Sequence, residues 1–147
     1  MPIDQAHLVV AVSTALTVIL CVLFHYEGLT LLGRWITTDL LQPRPRILVL
    51  IFGQLMLHIT EIWGFALGYY LLLELGHYGA LKPVGDLLFE DYVYFSAVVY
   101  TTLGLGDLIP EGAIRFMTGT EVLLGFVLIT WSASFTFLEM QRYWGRD

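Results

Sequence analysis

Residues 90–107 read EDYVYFSAVVYTTLGLGD, and this stretch decides the fold. Its first part, Glu90 to Thr101, is apolar and aromatic-rich, but about 12 residues cannot cross a bilayer that needs roughly 20 in a helix. Glu90 and Asp91 open it, as suits the positive end of a helix dipole. The second part, Thr102-Leu103-Gly104-Leu105-Gly106-Asp107, ends the helix with two glycines, and Pro110 follows. A short apolar helix running into Gly-x-Gly at membrane depth predicts a re-entrant loop. Irregular backbone at that depth is tolerated only where protein or a watery path covers it.

Membrane depth is set by the flanking sequence. Apolar stretches from about Leu8 to Leu32, Ile47 to Leu75 and Ala113 to Met140 are each long enough to span, with a small excess that predicts tilt. Of the 147 residues, 57% are hydrophobic and only 14% charged, about half the share of an ordinary soluble domain. One core of this size cannot hide so much apolar surface, which excludes a soluble enzyme and a disordered segment. Seven Lys and Arg in a net charge of −6 leave no phosphate-binding footprint, so no nucleic-acid partner is expected. The single cysteine, Cys21, lies inside the first span and excludes an intrachain disulfide. The first seven residues carry no Lys or Arg, so no removable signal peptide is expected. The expected fold class is an all-α membrane protein: three transmembrane helices, a re-entrant helix and its loop.

Arginine placement predicts the orientation. Arg34, Arg44 and Arg46 lie between the first two spans, and Arg142 and Arg146 follow the third, against only Lys82 and Arg115 on the other side. The positive-inside rule then puts the 34–46 loop and the C-terminus in the cytoplasm, with the N-terminus and the re-entrant loop outside. Trp35, Tyr143 and Trp144 are expected at the inner interface, and Tyr69, Tyr70 and Tyr78 at the outer one. Pro43 and Pro45 are expected to stop any helix through the cytoplasmic loop.

The run Tyr100-Thr101-Thr102-Leu103-Gly104-Leu105-Gly106-Asp107 resembles the potassium-channel pore signature, T-T-V-G-Y-G-D. With the short aromatic helix before it and the Gly-containing span after it, the chain resembles the bacterial two-transmembrane pore-domain channels from Ile47 to Met140. The first span lies outside that resemblance. It divides the chain into an N-terminal helix and loop (1–46) and a pore domain (47–147). The pore domain would hold an outer helix (47–75), pore helix (90–101), filter (102–107) and inner helix (113–140). The resemblance implies passive conduction of monovalent cations across a lipid bilayer, in a bacterial inner membrane. Potassium would be the permeant ion, without a cofactor or catalytic residues. The Thr102 hydroxyl and the carbonyls of Thr102, Leu103, Gly104 and Leu105 would replace the ion's hydration shell. Gly104 and Gly106 would permit backbone angles that a side chain forbids. One chain supplies one strand of such a ring, so a homotetramer is implied.

The sequence also departs from the signature. Leu105 stands in place of tyrosine and lacks the hydroxyl that braces the outer filter, so a potassium-selective pore and a non-selective monovalent cation pore both stay open. Val98 occupies the site where some relatives place a buried carboxylate facing Asp107. Tyr94, one turn earlier, is the expected substitute donor, with Thr101 as further filter support. In the third span Gly125 falls near the bend of the family's inner helix, as a hinge or as a point of close packing. Phe126, Ile129, Thr130, Ala133 and Phe137 follow at helical spacing as the cavity face, with Phe137 a candidate dewetting gate. Glu121, one turn before Gly125, faces either the cavity or the back of the filter. Glu139 reads as an interfacial charge, and Trp63 and Trp131 as packing residues.

Four ionisable residues remain inside the spans: His25 and Glu27 in the first, His58 and Glu61 in the second. At 1.5 Å per residue, His58 lies about 17 Å from Ile47 and His25 about 10–13 Å from the inner end of its span, depths that permit contact. They form either a hydrogen-bonded clamp between the extra span and the pore domain or a metal or proton site. The spacing is H-x-x-E, without the second histidine of the H-E-x-x-H hydrolases. No span carries the repeated arginines of a voltage sensor. The seven residues after Met140 are too few for a ligand-binding domain. A non-conducting pore-like subunit is the remaining alternative.

Overall fold

The computed structural model describes residues 5–36, 43–75, 78–82 and 87–144. Residues 37–42 of the arginine-rich loop and Arg146 lie outside them, as do the side chains of Pro43, Arg44, Tyr143 and Trp144. Four helices make up the described chain: α1 (Gln5–Ile36), α2 (Pro43–Tyr70), α3 (Phe89–Tyr100) and α4 (Arg115–Trp144). Three of them are long and apolar enough to cross a membrane. The second begins at Pro43, earlier than expected, with Pro43 and Pro45 inside its first turn. Proline is tolerated there because the first amides of a helix have no partner within it.

Shorter elements complete the described residues. A π-helical turn, Leu71–Leu75, extends α2, and its Glu74 accepts a hydrogen bond from Tyr92 at 2.5 Å. Strands β1 (Ala80–Lys82) and β2 (Ile109–Glu111) pair antiparallel, with Leu81 opposite Pro110. This ribbon ties the segment after α2 to the segment after the Gly-rich loop. A 3-10 turn, Gly112–Ile114, then leads into α4.

Helix α3 starts where its acidic residues predict. The Leu88 amide donates to Asp91 Oδ2 at 2.7 Å and satisfies one otherwise unpaired donor of the first turn. The helix packs against α2 and α4, with Tyr92, Phe95, Ser96, Val98, Val99 and Tyr100 buried. Helices α1 and α2 meet through reciprocal small-large contacts. A methyl group at Gly28 would collide with Leu57, and one at Gly53 with Leu32. Close approach through small residues is how helices associate where lipid removes the hydrophobic drive between them.

Candidate pore loop and intramembrane polar network

The end of α3 sets the shape of the loop. The Thr102 amide bonds to the Val99 carbonyl at 2.9 Å and the Leu103 amide to the Val98 carbonyl at 3.0 Å. These two bonds form a Schellman cap, whose hinge residue must be left-handed and is usually glycine. Here that residue is Thr102, at φ 62°. A β-branched residue in this region is strained, and such strain persists only where the surroundings impose it. Gly104 at φ 57° and Gly106 at φ 78° continue the pattern, with no positive φ at Leu103 or Leu105. In an extended strand successive carbonyls alternate between faces. A positive φ at every second residue cancels that alternation and gathers amides on one side and carbonyls on the other.

Residues 101–107 are exposed along the single chain, Leu103 to 63% and Leu105 to 59%. Behind the loop lies an apolar cavity of about 330 Å³, bounded by Phe95, Val98 and Val99 of α3 and by Thr118 and Val122 of α4. At the loop's exit, Tyr94 donates its hydroxyl to Asp107 Oδ2 at 2.6 Å. This hydrogen bond holds the Asp107 carboxyl below its ordinary 3.8 against the opposing effect of desolvation, with the backbone amides of Asp107 and Leu108 adding to it. Val98 supplies its carbonyl to both Leu103 and Gly104. Thr101 turns its hydroxyl back to the Ala97 carbonyl at 2.7 Å.

Glu121 lies behind the loop and is fully buried. It accepts from Tyr69 Oη and from Ser96 Oγ, both at 2.5 Å, so α2, α3 and α4 meet on one carboxyl group. Tyr69 is accordingly a buried donor and not an interfacial anchor, a correction to its expected place. Gly125 meets the end of α3, where a methyl group would overlap the Tyr100 carbonyl. Helix α4 runs unbroken through it, so this structure displays close approach there. Phe126, Ile129, Thr130, Ala133 and Phe137 are all exposed, whereas Leu124, Leu128 and Ser132 face the other helices. Glu139, read as an interfacial charge, is buried within the single chain and accepts from Arg142 Nη1 at 2.6 Å. Trp131 packs beside His25, with ring centres 5.4 Å apart, while Trp63 is 54% exposed.

Three of the four intramembrane ionisable residues come together. His25 Nδ1 is 2.8 Å from Glu61 Oε1, and His58 Nδ1 is 3.3 Å from Glu61 Oε2. Tyr100 donates to Glu61 Oε2 at 2.5 Å and lies 2.8 Å from His58 Nδ1. On the far side of His25, Nε2 is 3.2 Å from Ser132 Oγ. One network therefore draws on α1, α2, α3 and α4. Glu27 is not part of it, because its side chain points outward from α1 and is exposed. Sequence reasoning missed Tyr100, Ser132 and the nearby Gln54, which donates to the Ser132 carbonyl and accepts from Thr136 at 2.7 Å. Gln54 carried a signal, as a lone amide inside an apolar span.

Three spanning-length helices with a short fourth helix and a left-handed glycine loop define an all-α membrane architecture. The chain belongs to the ion channel family, of the two-transmembrane potassium-channel-like kind, and residues 46–142 match its sequence model. It is a multi-pass membrane protein, and α1 lies outside the match. Protein LctB of Geobacillus stearothermophilus is 32% identical over 75 residues, 47% of this chain. The chain spans about half the length of that relative, 56% of it. No solved structure matches the chain.

Proposed function

We propose that four copies of this chain form a channel that conducts potassium passively through the filter Thr102-Leu103-Gly104-Leu105-Gly106. The observation that carries this reading is the alternation of left-handed φ at Thr102, Gly104 and Gly106, which favours a column of carbonyls on one side of the loop. Stacked carbonyl rings replace the water around a monovalent cation. A single exposed loop cannot close such a ring, and its unsatisfied backbone needs cover at membrane depth. Fourfold assembly supplies both the ring and the cover. Asp107 supplies negative charge at the outer mouth, with the N-terminus outside and the C-terminus in the cytoplasm of a bacterial inner membrane. The exposed stripe from Phe126 to Phe137 then lines the cavity, with Phe137 toward its cytoplasmic end.

A specific observation favours a second reading, a non-selective monovalent cation pore: Leu105 has no hydroxyl with which to brace the outer filter. Potassium efflux from loaded proteoliposomes tests conduction itself. The wild-type chain should release potassium, and Gly104→Val should abolish release while leaving assembly intact. Equal release from both would contradict a pore through this loop.

A further inference from the structure

We propose that His25, His58 and Glu61 form a binding site for a divalent transition metal of the zinc type, at the foot of α3, with the Tyr100 hydroxyl as a fourth donor. The ligand-type atoms of His25, His58 and Glu61 all lie within 4.8 Å of one another. Both imidazoles present Nδ1 to the same carboxylate, at 2.8 and 3.3 Å, and Tyr100 Oη lies 2.8 Å from His58 Nδ1. Donors around a tetrahedral zinc, at roughly 2.0–2.2 Å from the ion, stand about 3.3–3.5 Å apart. Small rotations of side chains already converging on one point open this network to that spacing.

The donor chemistry selects the metal class. Two imidazoles, a carboxylate and a phenol suit zinc, copper, nickel or iron, whereas magnesium and calcium take all-oxygen sets. His58 and Glu61 stand three residues apart on one face of α2, so the helix itself holds two donors in register. His25 is oriented from behind by Ser132 Oγ at 3.2 Å. A serine hydroxyl can donate or accept, so it satisfies His25 Nε2 both in the metal-free network and when Nδ1 holds a metal through its lone pair. Metal would displace the protons that bridge these atoms in the metal-free chain. Entry is from the His58 side, where the side chain is 16% exposed while those of His25 and Glu61 are fully buried.

The occupied site would fasten α1 and α2 to Tyr100, which immediately precedes the Thr101–Thr102 pair. It does not depend on ion conduction, and its test needs none. Cobalt is titrated into the purified full-length chain in detergent as a visible stand-in for zinc, with bound metal counted after gel filtration. The expected result is one cobalt per chain with the intense visible bands of tetrahedral coordination, erased by added zinc. His58→Gln removes the least buried ligand and should weaken uptake at least about tenfold, and His25→Gln should do the same. His7→Gln, at an exposed position near the start of α1, should change nothing. Gel filtration and circular dichroism confirm that each variant is folded, and the wild-type stoichiometry and spectrum stand whether or not a variant folds. Uptake well below one ion per chain, a purely octahedral spectrum, or equal uptake by folded wild type and His58→Gln would each overturn the site.

Discussion

Tyr94 and Asp107 are joined by a 2.6 Å hydrogen bond from the phenol to the carboxylate, across the turn between α3 and the exit of the Gly-rich loop. The bond favours the ionised carboxyl, so Asp107 stays charged to lower pH than an isolated aspartate. A depressed carboxyl contributes its stabilisation above the ordinary carboxylate range and loses it as pH falls through the depressed value. Tyr94→Phe should therefore move acid inhibition of cation flux to higher pH. Flux measured against outside pH checks this, and an unmoved midpoint would show that the bond does not hold Asp107.

Gly125 should tolerate no side chain. A methyl group there meets the Tyr100 backbone, which cannot rotate away as a side chain can. Gly125→Ala is expected to cost about 1–3 kcal/mol through overpacking. The same change at Gly119, where a methyl group meets no atom within 4 Å, should be neutral or stabilising by up to about 1 kcal/mol. Thermal unfolding of the two variants in detergent separates close packing from a general need for glycine in α4.

Thr102 should be the reverse case. Its φ of 62° is a glycine conformation at a helix cap, held by a β-branched residue. Thr102→Gly should stabilise the chain by about 1 kcal/mol or more, since non-glycine left-handed strain has that size. The same variant loses the side-chain oxygen at the base of the filter and should conduct less potassium. A variant both less stable and fully conducting would remove the strain argument.

Glu121 should be sensitive to either of its donors. Tyr69→Phe and Ser96→Ala each deprive a buried carboxyl group of a partner, at about 1–3 kcal/mol apiece. Because both act on one group, the double variant should be non-additive, and a thermal double-mutant cycle measures the coupling. Strict additivity would show that the two bonds do not couple through Glu121.

Much of this was legible in the sequence, for physical reasons that also mark where legibility ends. Span length and hydrophobic composition disclose α1, α2 and α4, and the acidic start and glycine stop disclose α3 to within one residue. Depth alone made a contact of His25 with His58 and Glu61 possible, because a bilayer fixes height along its normal. Azimuth around a helix is set by packing instead, so depth wrongly recruited Glu27 and placed Tyr69 at an interface. The ribbon at Leu81 and Pro110 pairs three-residue strands, too short for any alternation to register. Thr102 stood out in the sequence as part of the Gly-rich run but not as a cap, since nothing in a threonine announces a left-handed backbone.

The most direct test of the central claim is the reversal potential of the purified protein in a planar bilayer, first under a potassium gradient and then with potassium opposed by sodium. The proposed channel predicts reversal near the potassium equilibrium potential under the gradient and a strongly shifted reversal against sodium. Current that reverses near zero with potassium facing sodium would contradict potassium selectivity and establish the non-selective pore. Absence of current through protein that has assembled and inserted would contradict conduction altogether.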